Sequence, residues 1–389
     1  MAITNICGFE TGAGGAGNES TLNGAGATIQ TTTKRTGTYA LKINPTTTAT
    51  ASSTLQLSYL ATGVEDGGVT PTGQATSYYR FYINIAALPS AAEPIFSAFF
   101  VATLKFELRL DQNGNLSAFD SALASLGTGS TDLQTGQWYR IEVLVNTGTS
   151  AAWEVKIDGA SELSGSTANL TTSNNAAASV GKTTNRNGSG YECYFDDFAV
   201  STTAYPGAGA VAVIRPDGNG NYTAWTGVYT DVDDLVSQAG NDGDTTKWLS
   251  STNTQAETAT LESSATAGIS GTINAVKSIA VVKRTSGSAT AIQHRIRVNA
   301  ADFDLSNYAT TASYVALARC DALNPSDSAA WETGDIDTLE VGVEHNQSQS
   351  RQADCTMVCA MVDFTAVAVT TFPPHPLIIL NAVSHAANW

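Results

Sequence analysis

This chain is expected to be an all-β protein, built from two tandem antiparallel β-sandwich (jelly-roll) domains followed by an extended C-terminal arm. Three observations support this expectation. Short runs of alternating apolar and polar residues recur along nearly all of the chain, turns rich in glycine and asparagine separate them, and hardly any segment shows a helical period. Strands with one apolar and one polar face are typical of antiparallel sheets.

The stretch 138–159 shows this pattern most clearly. Two alternating runs flank a short loop at 146–150, and the second run ends in an Asp-Gly turn. In each run the apolar side chains point to one face and the charged ones to the other, which predicts an antiparallel hairpin with one solvent-exposed side. The residues predicted to occupy the apolar faces are Tyr139, Ile141, Val143, Val145, Trp153, Val155 and Ile157.

The chain divides into three predicted parts. Residues 1–205 form the first sandwich and residues 206–369 the second, with a small, turn-forming linker at 205–209. Residues 370–389 are predicted to be an extended apolar arm, because their three prolines disfavour a central strand. The arm covers either its own second domain or a neighbouring subunit. Its predicted contact residues are Phe372, Leu377, Ile378, Ile379, Leu380 and Trp389.

The charge of the chain excludes two classes of partner. The formal net charge is −16, which repels phosphate backbones and anionic membranes, so neither nucleic acid nor a membrane is an expected partner. No secretory signal is expected at the N-terminus. No apolar run approaches the roughly 18 residues that cross a bilayer.

The five cysteines form an odd set without a zinc-like pair. Cys355 and Cys359 are predicted to share one strand face beside Met357, about 13 Å apart. That separation exceeds the limit of about 7 Å for a disulfide, so both are expected to be buried thiols. Cys7 and Cys193 lie in the first and last predicted strands of the first domain. A bridge between them stays open, with the reduced pair favoured in a cytoplasm.

No cofactor is expected, although calcium is considered. Segments 111–115 and 217–221 imitate the start of a calcium loop, but their sixth positions are not glycine and no bidentate glutamate follows, which favours Asx turns. A denser acidic segment follows in the second domain. It is interpreted as a solvated loop or a metal site, whose ligands would be Asp231, Asp233, Asp242 and Asp244.

Two tryptophans are candidates for carbohydrate binding. Trp225 and Trp248 flank the acidic segment, and an exposed indole can stack on a sugar ring. The alternative interpretation is that both are buried in the core.

Three segments of the first domain resemble the laminin-G and concanavalin-like jelly rolls. They are 133–142, with its Trp-Tyr-Arg-Ile-Glu strand, 153–159, with its Ile-Asp-Gly turn, and 194–200, with a closing Tyr-Phe-Asp-Asp-Phe strand. The resemblance covers about half of the chain and implies a two-sheet sandwich.

The second domain is similar to a module of tailed-bacteriophage structural proteins. The segments that carry this similarity are 220–226, 242–249 and 331–343. Where that family more often has a tyrosine after a Thr-Thr pair, this chain has Lys247 and Trp248. Together the two resemblances imply a protein of the virion surface, made in the cytoplasm of a bacterial host.

Residues typical of catalysis are not found in the sequence. The Glu-x-Asp-x-x-Glu strand of concanavalin-like hydrolases is missing, as is a Gly-x-Ser-x-Gly nucleophile elbow. The carboxylate pairs Glu154 with Asp158 and Glu332 with Asp335 are interpreted as solvated strand faces or turns. We therefore expect no catalytic residue and no enzyme.

The function predicted from these observations is a non-catalytic bacteriophage structural protein that decorates the capsid. Its expected partners are the major capsid protein or other virion proteins, and further copies of itself in a dimer or trimer. The alternative is a tail-fibre or receptor-binding protein that recognises host carbohydrate. A depolymerase of surface sugars is the third hypothesis.

Overall fold

The computed structural model describes residues 3–12, 20–56, 73–234, 246–250, 254–286, 291–346 and 352–366. Strands make up 56% of the chain, so the predicted all-β class is confirmed. The described residues contain one α-helical turn, Thr333–Ile336, and one 3-10 turn, Tyr229–Asp231. No described helix is long and apolar enough to cross a membrane.

Residues 3–201 form two antiparallel sheets, A and B, that face each other across a common core. Sheet A has the order β13-β12-β11-β6-β15-β4-β3, with β1 also paired to β15, and sheet B has the order β10-β9-β8-β7-β14-β5-β2. The strands of sheet A are β1 (Ile3–Cys7), β3 (Ala27–Gln30), β4 (Ala40–Ile43), β6 (Thr76–Ala87), β11 (Trp138–Asn146), β12 (Ala151–Ile157), β13 (Ala160–Ala168) and β15 (Glu192–Ser201). Those of sheet B are β2 (Thr21–Asn23), β5 (Ala51–Gln56), β7 (Glu93–Phe100), β8 (Thr103–Leu110), β9 (Leu116–Phe119), β10 (Ser125–Thr128) and β14 (Ala177–Lys182).

The hairpin predicted at 138–159 is present as β11 and β12. Ile141 pairs with Ile157 and Val145 with Trp153, and all four side chains are buried in the core between sheets A and B. The turn that follows β12 has φ angles of 51° at Asp158 and 90° at Gly159. Two consecutive positive φ values define the type I′ turn that an Asp-Gly pair favours, which explains the register of the next hairpin.

Residues 210–365 form two further antiparallel sheets, C and D, around a second core. Sheet C has the order β16-β26-β20-β24 with β18 on β26, and sheet D has the order β17-β19-β25-β21-β22 with β23 on β21. The strands of sheet C are β16 (Ala210–Ile214), β18 (Trp248–Leu249), β20 (Thr272–Ser286), β24 (Val315–Asp321) and β26 (Gln352–Thr365). Those of sheet D are β17 (Pro216–Thr223), β19 (Gln255–Leu261), β21 (Ala291–Val298), β22 (Ala301–Asp304), β23 (Tyr308–Ala309) and β25 (Glu340–His345).

The two sandwiches pack against each other through sheets A and C. A bulge in β26 pairs Cys355 with Val282 but Met357 with Val281. The extra residue turns Cys355 into the second core and Met357 away from it. The outward side chains of β26 and its neighbours join an apolar cluster with β1, whose members are Ile3, Ile6, Ala199, Val211, Ala275, Ile279, Val281, Ala316, Ala318, Met357, Cys359 and Met361.

This bulge corrects the prediction that Cys355 and Cys359 share one strand face. Cys355 belongs to the core between sheets C and D, and Cys359 belongs to the interface with β1. Alternation along a strand cannot reveal a bulge, because one inserted residue reverses every later side chain.

Cys7 and Cys193 are both free thiols. Strand β1 does pair with β15, but Cys7 lies opposite Phe198 while Cys193 lies opposite Ile43 on β4. Positions 193 and 198 are five residue steps apart, which correspond to about 16 Å along a strand and are too far for a disulfide.

An ion pair is buried where sheets A and C meet. Arg80 of β6 and Asp363 of β26 form a salt bridge, and both side chains are 0% exposed. The Nε of Arg80 donates to the carbonyl oxygen of Asp197 at 3.0 Å, and Asn274 Nδ2 donates to Asp363 at 2.7 Å. These additional hydrogen bonds satisfy polar atoms that burial would otherwise leave unpaired.

The segment 205–209 is held against sheet A. Tyr205 donates its hydroxyl hydrogen to Glu154 at 2.6 Å, and the backbone N–H of Gly207 donates to Glu142 at 2.8 Å. Glu142 is only 2% exposed. The outer side of the β11–β12 hairpin is therefore partly covered, which corrects the prediction that this side faces solvent.

The predicted C-terminal arm lies outside the described residues, which end at residue 366. Its predicted contact residues lie outside the described residues as well: Phe372, Leu377, Ile378, Ile379, Leu380 and Trp389.

Candidate functional site

Two sheet faces are left after the sandwiches have packed. Sheet A uses part of its outer face to contact sheet C, and each sandwich buries the inner faces of its own sheets. The outer faces of sheets B and D take no part in these three clusters. These two outer faces are therefore the candidate ligand-binding surfaces of the described strands.

The outer face of sheet B carries a row of polar side chains. Apolar and polar residues alternate along strand β8, with Phe106, Leu108 and Leu110 in the core. The intervening residues Lys105, Glu107 and Arg109 point outward and lie about 7 Å apart along the strand. Cross-strand pairing then places one outward row over four strands, in the order Ser179, Ser97, Glu107 and Phe119.

Glu107 is the centre of this row and lies between two guanidinium groups. Arg109 Nε donates to Glu107 Oε1 at 2.6 Å, while Arg186 donates to both carboxylate oxygens, with Nε to Oε1 at 3.1 Å and Nη2 to Oε2 at 2.8 Å. The guanidinium carbon of Arg109 lies 3.7 Å from the centre of the Phe119 ring. These four residues and Lys105 are called the Glu107 cluster below.

Solvent reaches this cluster through its arginines. The Glu107 side chain is 0% exposed, whereas the side chains of Arg109 and Arg186 are 11% and 19% exposed. The carboxylate thus fixes the guanidiniums from below while part of each faces outward. A planar donor group held by a buried carboxylate is pre-organised for an incoming acceptor.

A buried ion pair positions the loop that carries Arg186. Lys182 and Glu93 lie 3.2 Å apart with both side chains 0% exposed. Glu93 accepts the backbone N–H groups of Arg186, Asn187 and Ser189 at 2.9 to 3.0 Å. Burial alone would raise the pKa of Glu93, but these backbone donors and Lys182 outweigh it and hold the pKa below its ordinary value.

Lys105 lies on the outer face of β8, on the side of Glu107 opposite to Arg109. Its Nζ donates to the Thr171 hydroxyl at 3.2 Å and to the Ser173 carbonyl oxygen. Burial lowers the pKa of Lys105 to about 8. A pKa of about 8 leaves most of the Lys105 population protonated near neutral pH, and its side chain is 0% exposed.

The outer face of sheet D has the opposite charge balance. Arg295 pairs with Asp304 at 2.6 Å and with Glu344 at 2.5 Å, and Arg297 pairs with Asp302 at 2.7 Å. Glu340 adds a fourth carboxylate, 3.9 Å from Arg297. Acids outnumber cations on this face, whereas the Glu107 cluster has three cations for one carboxylate.

The predicted carbohydrate-binding tryptophans are buried in the second core, so the structure places them away from any surface. Trp225 is 5% exposed and Trp248 is 0% exposed. Their indole N–H groups donate to backbone carbonyls, Trp225 to Gln255 at 3.1 Å and Trp248 to Val228 at 3.0 Å. With both ring faces enclosed, neither indole can stack on a sugar.

Two of the four predicted metal ligands, Asp231 and Asp233, lie among the described residues. Asp231 accepts the backbone N–H of Val228 at 2.8 Å, as a cap of its own turn. Burial and the neighbouring Asp234 raise the pKa of Asp233. Asp242 and Asp244 lie outside the described residues. No group of three or more potential ligands occurs in the described part of the chain, and calcium binding stays a prediction.

The other acidic motifs have structural roles. Asp111 accepts the backbone N–H groups of Asn113 at 2.8 Å and Asn115 at 2.9 Å, which is an Asx turn. Asp335 accepts the N–H of Glu332 at 2.9 Å at the start of the single α-helical turn. In the other predicted carboxylate pair, Glu154 accepts the Tyr205 hydroxyl at 2.6 Å and Asp158 accepts the backbone N–H of Arg140 at 2.9 Å, so these carboxylates also make structural hydrogen bonds.

Two buried titratable groups lie inside the second sandwich. His294 is 0% exposed, and neither ring nitrogen has a hydrogen-bond partner among the described residues. Burial, with a smaller contribution from Arg319, lowers the pKa of His294 to about 3. Burial raises the pKa of Glu257 to about 7, although the Trp225 N–H donates to it at 2.8 Å. Both groups are therefore mainly uncharged in the folded protein at mildly acidic pH.

No protein-family model and no curated protein sequence matches the chain. Solved structures that resemble it include an endo-β-1,4-glucuronan lyase from the fungus Trichoderma reesei, at 14% identity and a TM-score of 0.34, over 48% of this chain and 88% of the lyase. Domain 4 of the arabinanase AbnA from Geobacillus stearothermophilus, in complex with arabinotriose, matches at 16% identity and a TM-score of 0.34, over 52% of this chain and 92% of that domain. A Trypanosoma rangeli sialidase matches at 12% identity and a TM-score of 0.36, over 52% of this chain but 30% of the sialidase.

These comparisons contradict the prediction of a non-catalytic, capsid-decorating protein. The three structures named above are carbohydrate-active proteins, and so is an alginate lyase of polysaccharide lyase family 7 that also resembles the chain. We therefore withdraw both the capsid-decoration function and the expectation that the chain is not an enzyme. The relation to bacteriophages, the virion location and the oligomeric state stay predictions. Likenesses at such low identity concern the fold alone.

Proposed function

We propose that this protein binds a polysaccharide on the outer face of sheet B. The observation that supports the proposal is the Glu107 cluster, in which Arg109 and Arg186 are fixed on a buried carboxylate beside Phe119. Sugars present many hydroxyl groups and apolar C–H faces. Charge-assisted donors bind the hydroxyl oxygens, and an aromatic ring packs against the C–H groups.

Two threonine hydroxyls extend the same surface, because Thr183 and Thr128 reach solvent whereas their partners Ser97 and Ser117 are buried. Ser97 and Thr183 lie 2.9 Å apart, and Ser117 and Thr128 are also 2.9 Å apart. Each hydroxyl can donate and accept, so such pairs can exchange a mutual bond for a bond to a sugar hydroxyl. Ser179, Ser97 and Glu107 of the four-strand row are buried, so the saccharide would contact Phe119 and the exposed parts of Arg109 and Arg186.

We expect Phe119→Ala to weaken polysaccharide binding by about tenfold, or ~1.4 kcal/mol, because the ring packs against sugar and supports Arg109. The measurement is affinity gel electrophoresis over a panel of neutral and acidic polysaccharides. Tyr222→Ala is the matched control. Tyr222 lies 4.9 Å from the guanidinium carbon of Arg295 on the outer face of sheet D, so it repeats the aromatic–arginine contact on the other face.

The control variant should migrate like the wild type in every gel. Thermal unfolding of both variants checks that neither substitution disrupts the fold. If no polysaccharide retards the wild-type protein, or if Phe119→Ala and Tyr222→Ala weaken binding equally, the proposed site is wrong.

A further inference from the structure

The arginines of the Glu107 cluster have donors that their carboxylate does not use. Arg109 binds Glu107 through Nε, and Arg186 binds it through Nε and Nη2. Within the described residues, both terminal nitrogens of Arg109 and the Nη1 of Arg186 have no hydrogen-bond partner. Both side chains are partly exposed, so these donors can reach a ligand.

The charges of the cluster are also unequal. Glu107 neutralises one of its two arginines, and Lys105 adds a third, fully buried cation on the same strand as Arg109. No other charged side chain occupies an outward position on the four strands of the row, β14, β7, β8 and β9. The whole chain has a net charge of −16, so the excess of cations in the Glu107 cluster is a local exception. Ionic screening over about 8 Å limits the repulsion of an anionic ligand by distant acidic residues.

On the basis of the proposed function, we propose that the bound saccharide is a uronate polymer, with a sugar carboxylate bound between Arg109 and Arg186 above Glu107. A guanidinium is a planar fork of donors that matches a carboxylate in two parallel hydrogen bonds. Arg186 already holds Glu107 in this way through Nε and Nη2, so it offers Nη1 to the sugar carboxylate, while Arg109 offers both of its terminal nitrogens. A neutral polysaccharide would leave the excess positive charge uncompensated.

The test compares three uronate polymers, namely polygalacturonate, alginate and polyglucuronate, with carboxyl-reduced forms of the same chains. The wild type should bind at least one uronate polymer about tenfold or more tightly than its reduced form. Arg109→Gln and Arg186→Gln should each remove this preference. Arg297→Gln, which removes an arginine from the outer face of sheet D, should keep it.

A double variant and a competing polyanion make the test specific for carboxylate binding at this cluster. The double variant Glu107→Gln/Arg186→Gln removes a buried charge together with its partner, so loss of the preference in this folded variant supports the assignment even if Arg186→Gln alone unfolds. Dextran sulfate serves as a polyanion without carboxylates and should compete weakly with the uronate polymer.

The failures of the two proposals can be told apart. Equal binding of a uronate polymer and its reduced form would overturn the carboxylate assignment and leave the saccharide site standing. Equally strong competition by dextran sulfate would also overturn it, because binding would then reflect general attraction of anions. Binding of no saccharide at all would overturn the proposed function itself.

Discussion

Replacing Asp363 with alanine is expected to lower the free energy of unfolding by about 3–5 kcal/mol, because Arg80 then keeps a buried charge without its partner. Both side chains are 0% exposed, so water cannot replace the lost carboxylate. Asn274 would lose an acceptor as well. Chemical denaturation monitored by tryptophan fluorescence measures the effect.

Two control variants separate the effect of the buried unpaired charge from the loss of an ordinary ion pair. The double variant Arg80→Met/Asp363→Leu removes both charges, and it should recover most of the lost stability because no unpaired ion remains. Glu192→Ala breaks the partly exposed pair with Lys42, which spans 3.0 Å, and should cost less than about 1 kcal/mol. An Asp363→Ala variant as stable as the Glu192→Ala variant would show that the pair does not secure the contact between sheets A and C.

The second large effect is on the pH dependence of the free energy of unfolding. His294 and Glu257 contribute to this dependence with opposite signs. The pKa of His294 falls from 6.5 to about 3 in the folded protein, so its contribution to stability is present above pH 6.5 and is lost as the pH falls towards 3. The pKa of Glu257 rises from 4.5 to about 7, so its contribution is present below pH 4.5 and is lost as the pH rises towards 7. Between pH 4.5 and 6.5 the two slopes cancel, each being about 1.4 kcal/mol per pH unit.

Single substitutions should reveal each slope. In His294→Leu, stability relative to wild type should decrease as pH rises from 4.5 to 6.5, by on the order of 2–3 kcal/mol. In Glu257→Gln, relative stability should instead decrease as pH falls over the same range. Urea denaturation at several pH values gives both difference curves, in which titration of the other groups largely cancels. Two flat difference curves would mean that these groups titrate alike in the folded and unfolded chains.

Much of the fold could be predicted because the strands have one apolar face. The alternation of Ile141, Val143 and Val145 correctly identified the inward side of β11, and the Asp-Gly pair correctly identified a turn. The solvent-exposed side of that hairpin was not correctly predicted, since Glu142 is covered by the segment 205–209. A polar residue on a strand face indicates which side is not core, but not whether another part of the chain packs there.

The candidate site could not be predicted for a related reason. Glu107 and Arg109 are neighbours on one alternating strand, where they read as an ordinary polar face. Arg186 is 79 residues away from Glu107 in the sequence, and Glu93 holds its loop through backbone hydrogen bonds that no motif records. The two tryptophans predicted to bind sugar are instead core residues. The large indole ring favours burial when its N–H can donate to a backbone carbonyl.

Hydrogen–deuterium exchange in the presence of a saturating polysaccharide tests most directly where the ligand binds. We expect slower exchange of backbone amides in β8, β9 and the loop at 183–190, and unchanged exchange in β21 and β22 on the outer face of sheet D. Protection confined to the strands of sheet D, or saturation without any change on sheet B, would contradict the proposal that the Glu107 cluster is the binding site.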